Sequence, residues 1–270
     1  MTPLLSALLA ACLIWWFSTG AILIAVRLAE RKGAKAGVWT TLAALPLLLA
    51  GGWAFWTTLQ VESTQAAYVA FLGALAIWGW IELSFLTGVI TGPVKDDCPP
   101  RLPEWDRFWR AWGTVAHHEL LLTAFLICVI EIAWGAANTV GLWTFIILYF
   151  ARVSAKLNLF LGVAHVNVEF LPKHLSHLAS HFGTARLNWL FPVSITALTF
   201  ALACWLERLS TAQSAFAETG FALLTTLTAL ALLEHWFLVL PLRDAKLWRW
   251  MLPKPTPKRR LKRSERTHEV

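Results

Sequence analysis

The chain has 270 residues, of which 57% are hydrophobic and only 14% charged, with a formal net charge of +7. A soluble globular domain carries about a quarter charged residues, so this composition excludes an ordinary soluble fold. The excess basic charge flanks apolar runs, which points to anionic lipid and topology control and away from nucleic acid. Cys12, Cys98, Cys128 and Cys204 stand singly without a CxxC pair, which argues against a disulfide framework or a thiolate metal site.

Runs of about 20 apolar residues suffice to cross a bilayer as helices, and backbone amides in lipid must bond within their own segment. Seven such runs follow in chain order: about Leu4–Val26, Val38–Leu59, Ala67–Ile90, Trp112–Trp134, Val140–Val163, Leu187–Leu206 and Gly220–Leu240. The expected fold is therefore all-α, a polytopic transmembrane helix bundle occupying residues 1–242. The first run lacks a basic leader and continues as a full span, so no cleavable signal peptide is expected. Pro46 and Pro192 fall inside spans and are candidate kinks. Many of the 17 tryptophans suit the headgroup boundary, where an indole satisfies both its apolar body and its N–H.

Lysine and arginine set the orientation. Arg27, Arg31, Lys32 and Lys35 lie in the first connection, and Lys95, Arg101, Arg107 and Arg110 in the third. Lys173 and Arg186 lie in the fifth, and ten more in the tail from Arg243, while the opposite connections hold only Arg208. The positive-inside bias places the N-terminus in the periplasm and the C-terminus in the cytoplasm. Residues 243–270 read as a basic cytoplasmic tail, disordered or lying along anionic headgroups. Between the third and fourth spans, Pro99, Pro100 and Pro103 forbid one continuous helix. Trp105, Phe108, Trp109 and Trp112 recur there at helical spacing, as in a short amphipathic helix on the membrane surface.

Ionisable residues inside spans are costly and mark a function or a buried pair. They are Glu82; His117, His118 and Glu119; Glu131; Arg152 and Lys156; His165 and Glu169; and Glu234 and His235. With the topology applied, all but Glu131 fall toward the cytoplasmic leaflet. Asn158, His165 and Glu169 would share one face of a continuing helix. His174, His177 and His181 form a stripe that reads as a wet surface helix. The site candidates are Glu82, His118, Glu119, His165, Glu169, Glu234 and His235. Three readings are open for them: buried pairs that fix helix register, a carboxylate–histidine di-iron or di-manganese site, or a pigment site with histidine as axial ligand to a chlorin magnesium. The usual Glu-x-x-His spacing of the metal site is missing.

Four segments carry a resemblance: LIWWFSTGAILIAVRLAERKG (Leu13–Gly33), HHELLLT (His117–Thr123), ARVSAKLNLFLGVAHVNVEFLPKHLSHLASHF (Ala151–Phe182) and LLEHWFLVLPL (Leu232–Leu242). Through them the chain resembles the PuhE family, photosynthetic complex assembly proteins of purple phototrophic bacteria. The resemblance implies a multi-pass protein of the bacterial inner (intracytoplasmic) membrane. It implies a role in building the reaction centre–light-harvesting complex, with reaction-centre or light-harvesting subunits as partners and bacteriochlorophyll as a candidate ligand. It supplies no catalytic residues. The alternative is a membrane-embedded Glu/His metalloenzyme of the di-iron oxidase type, acting on a lipid-soluble or chlorin substrate. A secondary transporter would use the buried charges Glu82, Arg152 and Lys156, but the chain lacks the repeats and paired broken spans of such proteins.

Overall fold

The computed structural model describes residues 3–166, 168, 171–183 and 185–240. The basic tail and Glu169 lie outside these residues. Among them are eight α-helices, no strand, and seven spans long and apolar enough to cross a membrane. Helix α1 (Pro3–Lys32) ends on Arg31 and Lys32, basic residues that suit a helix C-terminus. Gly33 then turns the chain at φ 98°, a conformation open to glycine.

The second span is two helices, α2 (Ala34–Ala43) and α3 (Leu45–Thr58), broken at Ala44. Pro46 causes the break, because its ring and missing N–H disrupt the preceding turn. The Trp80 indole donates to the Thr41 carbonyl beside the break, at 3.1 Å. Pro192 behaves differently: it sits in the first turn of α7 (Leu190–Ser210), where a helix tolerates proline without a kink.

Helix α4 (Thr64–Leu86) is the most buried span. Ser63 caps it, its hydroxyl accepting from the Ala66 N–H at 3.1 Å. It packs against α1, α3, α6 (Val140–Leu161) and α8 (Ala215–Phe237). Gly51 of α3 and Gly73 of α4 face one another so closely that a Cβ on either would lie 2.9 Å from the other's carbonyl oxygen. Small residues permit that approach, as is usual between membrane helices. Around α4 stand two apolar clusters, one containing Ala7, Phe71, Leu223 and Leu227, the other Phe55, Ile81, Leu122 and Phe145.

The expected surface helix is not separate from the fourth span. Residues Glu104–Ile132 form one helix, α5, with Glu104 and Asp106 in its first turn. Its first turns hold Trp105 and Trp109 exposed, while Phe108 stacks on Trp105 with ring centroids 5.7 Å apart.

All the basic connections gather at one end of the bundle and interlock there. The Cys98 N–H donates to the Ser180 hydroxyl at 2.8 Å, and the Lys173 N–H to Glu30 Oε1 at 2.8 Å. The Gly183 N–H reaches the Leu159 carbonyl at 2.9 Å, and the Val94 N–H reaches that of Gly113 at 3.1 Å. Within this cap, Lys173–His181 is a 3₁₀ helix whose Leu175 and Leu178 pack on Phe85. The wet-surface expectation for the histidine stripe is corrected: His177 and His181 are buried, and His174 lies 3.9 Å from Glu30.

The close approach of the third connection to α5 gives a test. A Cβ on Gly92 would fall 2.1 Å from the Gly113 carbonyl oxygen, whereas one on Gly52 meets nothing within 4 Å. Gly92→Ala should lower stability by roughly 1–3 kcal/mol, read as a lower melting temperature in detergent. Gly52→Ala should leave that temperature unchanged or slightly raised.

Candidate functional site

Helix α6 places Arg152 and Lys156 one turn apart on a single face. Opposite them, α4 presents Glu82 and α5 presents Glu119. Arg152 Nη2 donates to Glu82 Oε2 at 2.8 Å, and Lys156 Nζ donates to Glu119 Oε1. Two cations of one helix are thus each bound to a carboxylate of a different neighbour. Buried charge is tolerable in a low-dielectric interior only when paired in this way, and the quartet is neutral as a whole.

His118 lies fully buried beside these pairs. Its Nε2 is 3.8 Å from Glu82 Oε1, and its ring sits 4.5 Å from that of Phe85. Neither ring nitrogen of His118 has a hydrogen-bond partner, and neither does Glu82 Oε1. The Lys156 ammonium stands 5.4 Å over the Phe85 ring, a cation–π contact.

The other flank of α6 carries a separate polar layer. His235 of α8 donates through Nδ1 to the Ala231 carbonyl at 2.8 Å, since a carbonyl can only accept. Its Nε2 therefore accepts from the Ser154 hydroxyl at 3.0 Å. Asn158 donates to the Ser194 hydroxyl at 2.9 Å, tying α6 to α7. Asn188 donates to the Gly162 carbonyl at 2.8 Å and accepts from the Leu190 N–H at 2.9 Å, so one side chain joins the end of α6 to the start of α7.

A cavity of about 480 Å³ lies between α1, α4, α5, α6, α8 and the 3₁₀ helix. Its walls are mostly apolar and aromatic, including Trp15, Trp78, Phe85 and Phe160. Glu82, Arg152 and Lys156 stand on the wall, with His181 toward the cap and Glu234 on the α8 side. This size and character are those of small-molecule sites.

The structure therefore brings together Glu82, His118 and Glu119 of the expected residues, and adds Glu234 to the cavity wall. His235 is buried in the Ser154 layer. His165 is exposed, and its N–H donates to the Leu238 carbonyl at 3.0 Å beyond the end of α8. The expected common face for Asn158, His165 and Glu169 is corrected: α6 stops at Leu161, and Gly162 at φ 110° turns the chain away. Arg152 and Lys156 were legible as buried charges but were not among the site candidates; their i, i+4 spacing is the signal that would have added them. Ser154, Asn188 and Ser194 gave no signal, because hydroxyls and amides are common in apolar helices. Among the described residues no group of three or more His, Cys, Asp or Glu side chains converges as a metal site.

A family model described as protein of unknown function, DUF3623, matches residues 1–259. The chain belongs to that family. A protein of Rhodobacter capsulatus, described as an uncharacterized 30.4 kDa protein in the puhA 5′ region, is 55% identical over 241 residues, covering 89% of this chain and 88% of its own length. No solved structure matches.

Two expected outcomes follow from the site. Lys156→Met leaves Glu119 buried and unpaired, which should cost about 3–5 kcal/mol; adding Glu119→Gln should recover most of it, a non-additivity measurable by thermal melting of the single and double variants. The second outcome concerns pH. Burial pushes the His177 and His181 imidazoles below their usual value. Their unfolded value is about 6.5, so the stability they contribute is complete above that pH and is lost as the pH falls below it. Melting temperature should drop between pH 7.5 and 5.5, and the drop should shrink in the His177→Gln/His181→Gln variant.

Proposed function

We propose that this protein is a membrane assembly factor for the bacterial photosynthetic reaction centre–light-harvesting complex, handling bacteriochlorophyll or a close relative of it in the cavity at the basic-loop end. The observation that carries the reading is that cavity: an apolar, aromatic-walled chamber inside the bundle, interrupted by Glu82, Arg152 and Lys156. The position of the Rhodobacter capsulatus relative in the puhA 5′ region, a photosynthesis gene cluster, supports the same reading, as do the PuhE-like motifs. The protein would lie in the inner membrane with its basic end in the cytoplasm, in contact with lipids and with a reaction-centre or light-harvesting subunit.

The cavity's donor set suits a metallated chlorin. His181 donates through Nδ1 to the His177 carbonyl at 3.1 Å, which leaves Nε2 as a lone-pair donor without a protein partner. His181 is the residue of this wall that would hold the magnesium of such a chlorin. Trp15, Trp78 and Phe160 would flank an apolar ring. The donors for a di-iron centre are not assembled among the described residues.

Deletion of the gene in a phototrophic host should lower the near-infrared absorbance of reaction-centre and antenna complexes, with total pigment falling less than assembled pigment. Complementation by a His181→Leu variant should restore only part of it. Unchanged complexes in the deletion strain would overturn the proposal.

A further inference from the structure

We infer that the cavity selects an amphiphile with an acidic head, a carboxylate or a phosphate, held by Arg152 and Lys156 with its apolar body along α6. The inference deepens the pigment-handling reading and rests on the same cavity, but it concerns the chemistry of the ligand's head.

Exposure decides which member of each ion pair a ligand meets. The Arg152 side chain is 37% exposed and its partner Glu82 10%; the Lys156 side chain is 22% exposed and its partner Glu119 7%. In each pair the cation is the more accessible member and the carboxylate the more buried. Glu119 does not reach the cavity wall, whereas Arg152 and Lys156 both do.

Donor capacity points the same way. A guanidinium carries five N–H donors and an ammonium three. Arg152 gives Nη2 to Glu82, and Lys156 is bonded to Glu119. Arg152 Nε is buried without a hydrogen-bond partner, so donor capacity remains beside the ion pairs. An incoming group is therefore met by donors one turn apart on α6, which favours an acceptor with two or more oxygens. Arg–carboxylate and Arg–phosphate pairs are the strong form of such contacts. A hydroxyl head would use them poorly.

The shape suits a long apolar body. The lining runs along α6 from Ile147 to Phe160, about 20 Å at helical rise. Leu75, Trp78 and Leu227 line it on the mid-bundle side of the charges, and Leu171, Leu175 and Phe182 line it on the cap side. Two apolar stretches thus flank one band of charged side chains. Glu234, the remaining carboxylate of the wall, is on α8 and exposed.

The test uses the full-length protein in nanodiscs of neutral phosphatidylcholine. The probe is 9,10-dibromostearate, whose bromines quench tryptophan on contact, with 9,10-dibromostearyl alcohol as the neutral counterpart. The acid should show a saturable quenching component that the alcohol lacks, and Trp78→Phe should reduce its amplitude. The charge-balanced pair Glu82→Gln/Arg152→Gln, which leaves no buried charge unpaired, should weaken that component about tenfold or more, the scale of a lost hydrogen bond to a charged group. Competition separates the sources of the head: displacement by dodecyl phosphate points to a phospholipid-like ligand, and displacement by pheophorbide a to a chlorin carboxylate. Either supports an acidic head.

Equal saturable binding of acid and alcohol would overturn the inference, as would the absence of any saturable component. The wild-type comparison stands whatever the variants do. Failure here is distinguishable from failure of the assembly role. An acid-selective cavity with unchanged photosynthetic complexes in the deletion strain overturns the role alone, and lost complexes with no head selectivity overturn this inference alone.

Discussion

The pairing of Arg152 and Lys156 is the constraint from which the arrangement of this end of the bundle follows. Inside a membrane, helices gain little from burying one apolar face against another, because lipid is as apolar as leucine. What fixes α6 against α4 and α5 is the need of two cations for two carboxylates. Arg152 is bonded to Glu82 of α4, and Lys156 to Glu119 of α5. Their one-turn spacing means that rotating or sliding α6 would strand both at once. The close glycine contacts, Gly51 on Gly73 and Gly141 against the Ala70 carbonyl, hold α3 and α6 near α4 and make those pairings reachable.

The cap depends on the same geometry. Phe85 lies one turn beyond Glu82, near enough for its ring to sit under Lys156 and beside His118. Leu175 and Leu178 of the 3₁₀ helix cover that ring from outside. Arg107 of α5 stands 4.2 Å over Phe160 and donates to its carbonyl at 3.3 Å, so α5 also holds the end of α6. The loops at this end are therefore part of the cavity wall, which their polar sequence conceals.

What the sequence could and could not reveal follows from the physics of each feature. The seven spans were legible because a bilayer demands a long apolar run whatever the fold. Glu82, His118 and Glu119 were legible because a titratable group in such a run is costly and stands out. Which cation each carboxylate pairs with was not, since pairing depends on helix rotation, and one sequence is compatible with several rotations. His165 and Glu169 were placed on a helix that Gly162 ends; a glycine after the last apolar turn is a familiar stop, outweighed here by the apolar residues that follow. The burial of His177 and His181 was hidden for another reason. A segment with a lysine, three histidines and two serines reads as wet, and only the leucines at 175 and 178 hint that one face of it is covered.

The ion pairs also bear on why a polar cluster stands at this position at all. Replacing a buried ion pair by well-packed apolar residues of similar volume is often neutral or stabilising. Leucine and methionine at the four positions would hold α4, α5 and α6 together without any desolvation cost. Register alone could be fixed by one pair, yet there are two, and in both the cation is the more exposed member. Stability does not require that orientation, whereas recognition of a polar group inside an apolar chamber does.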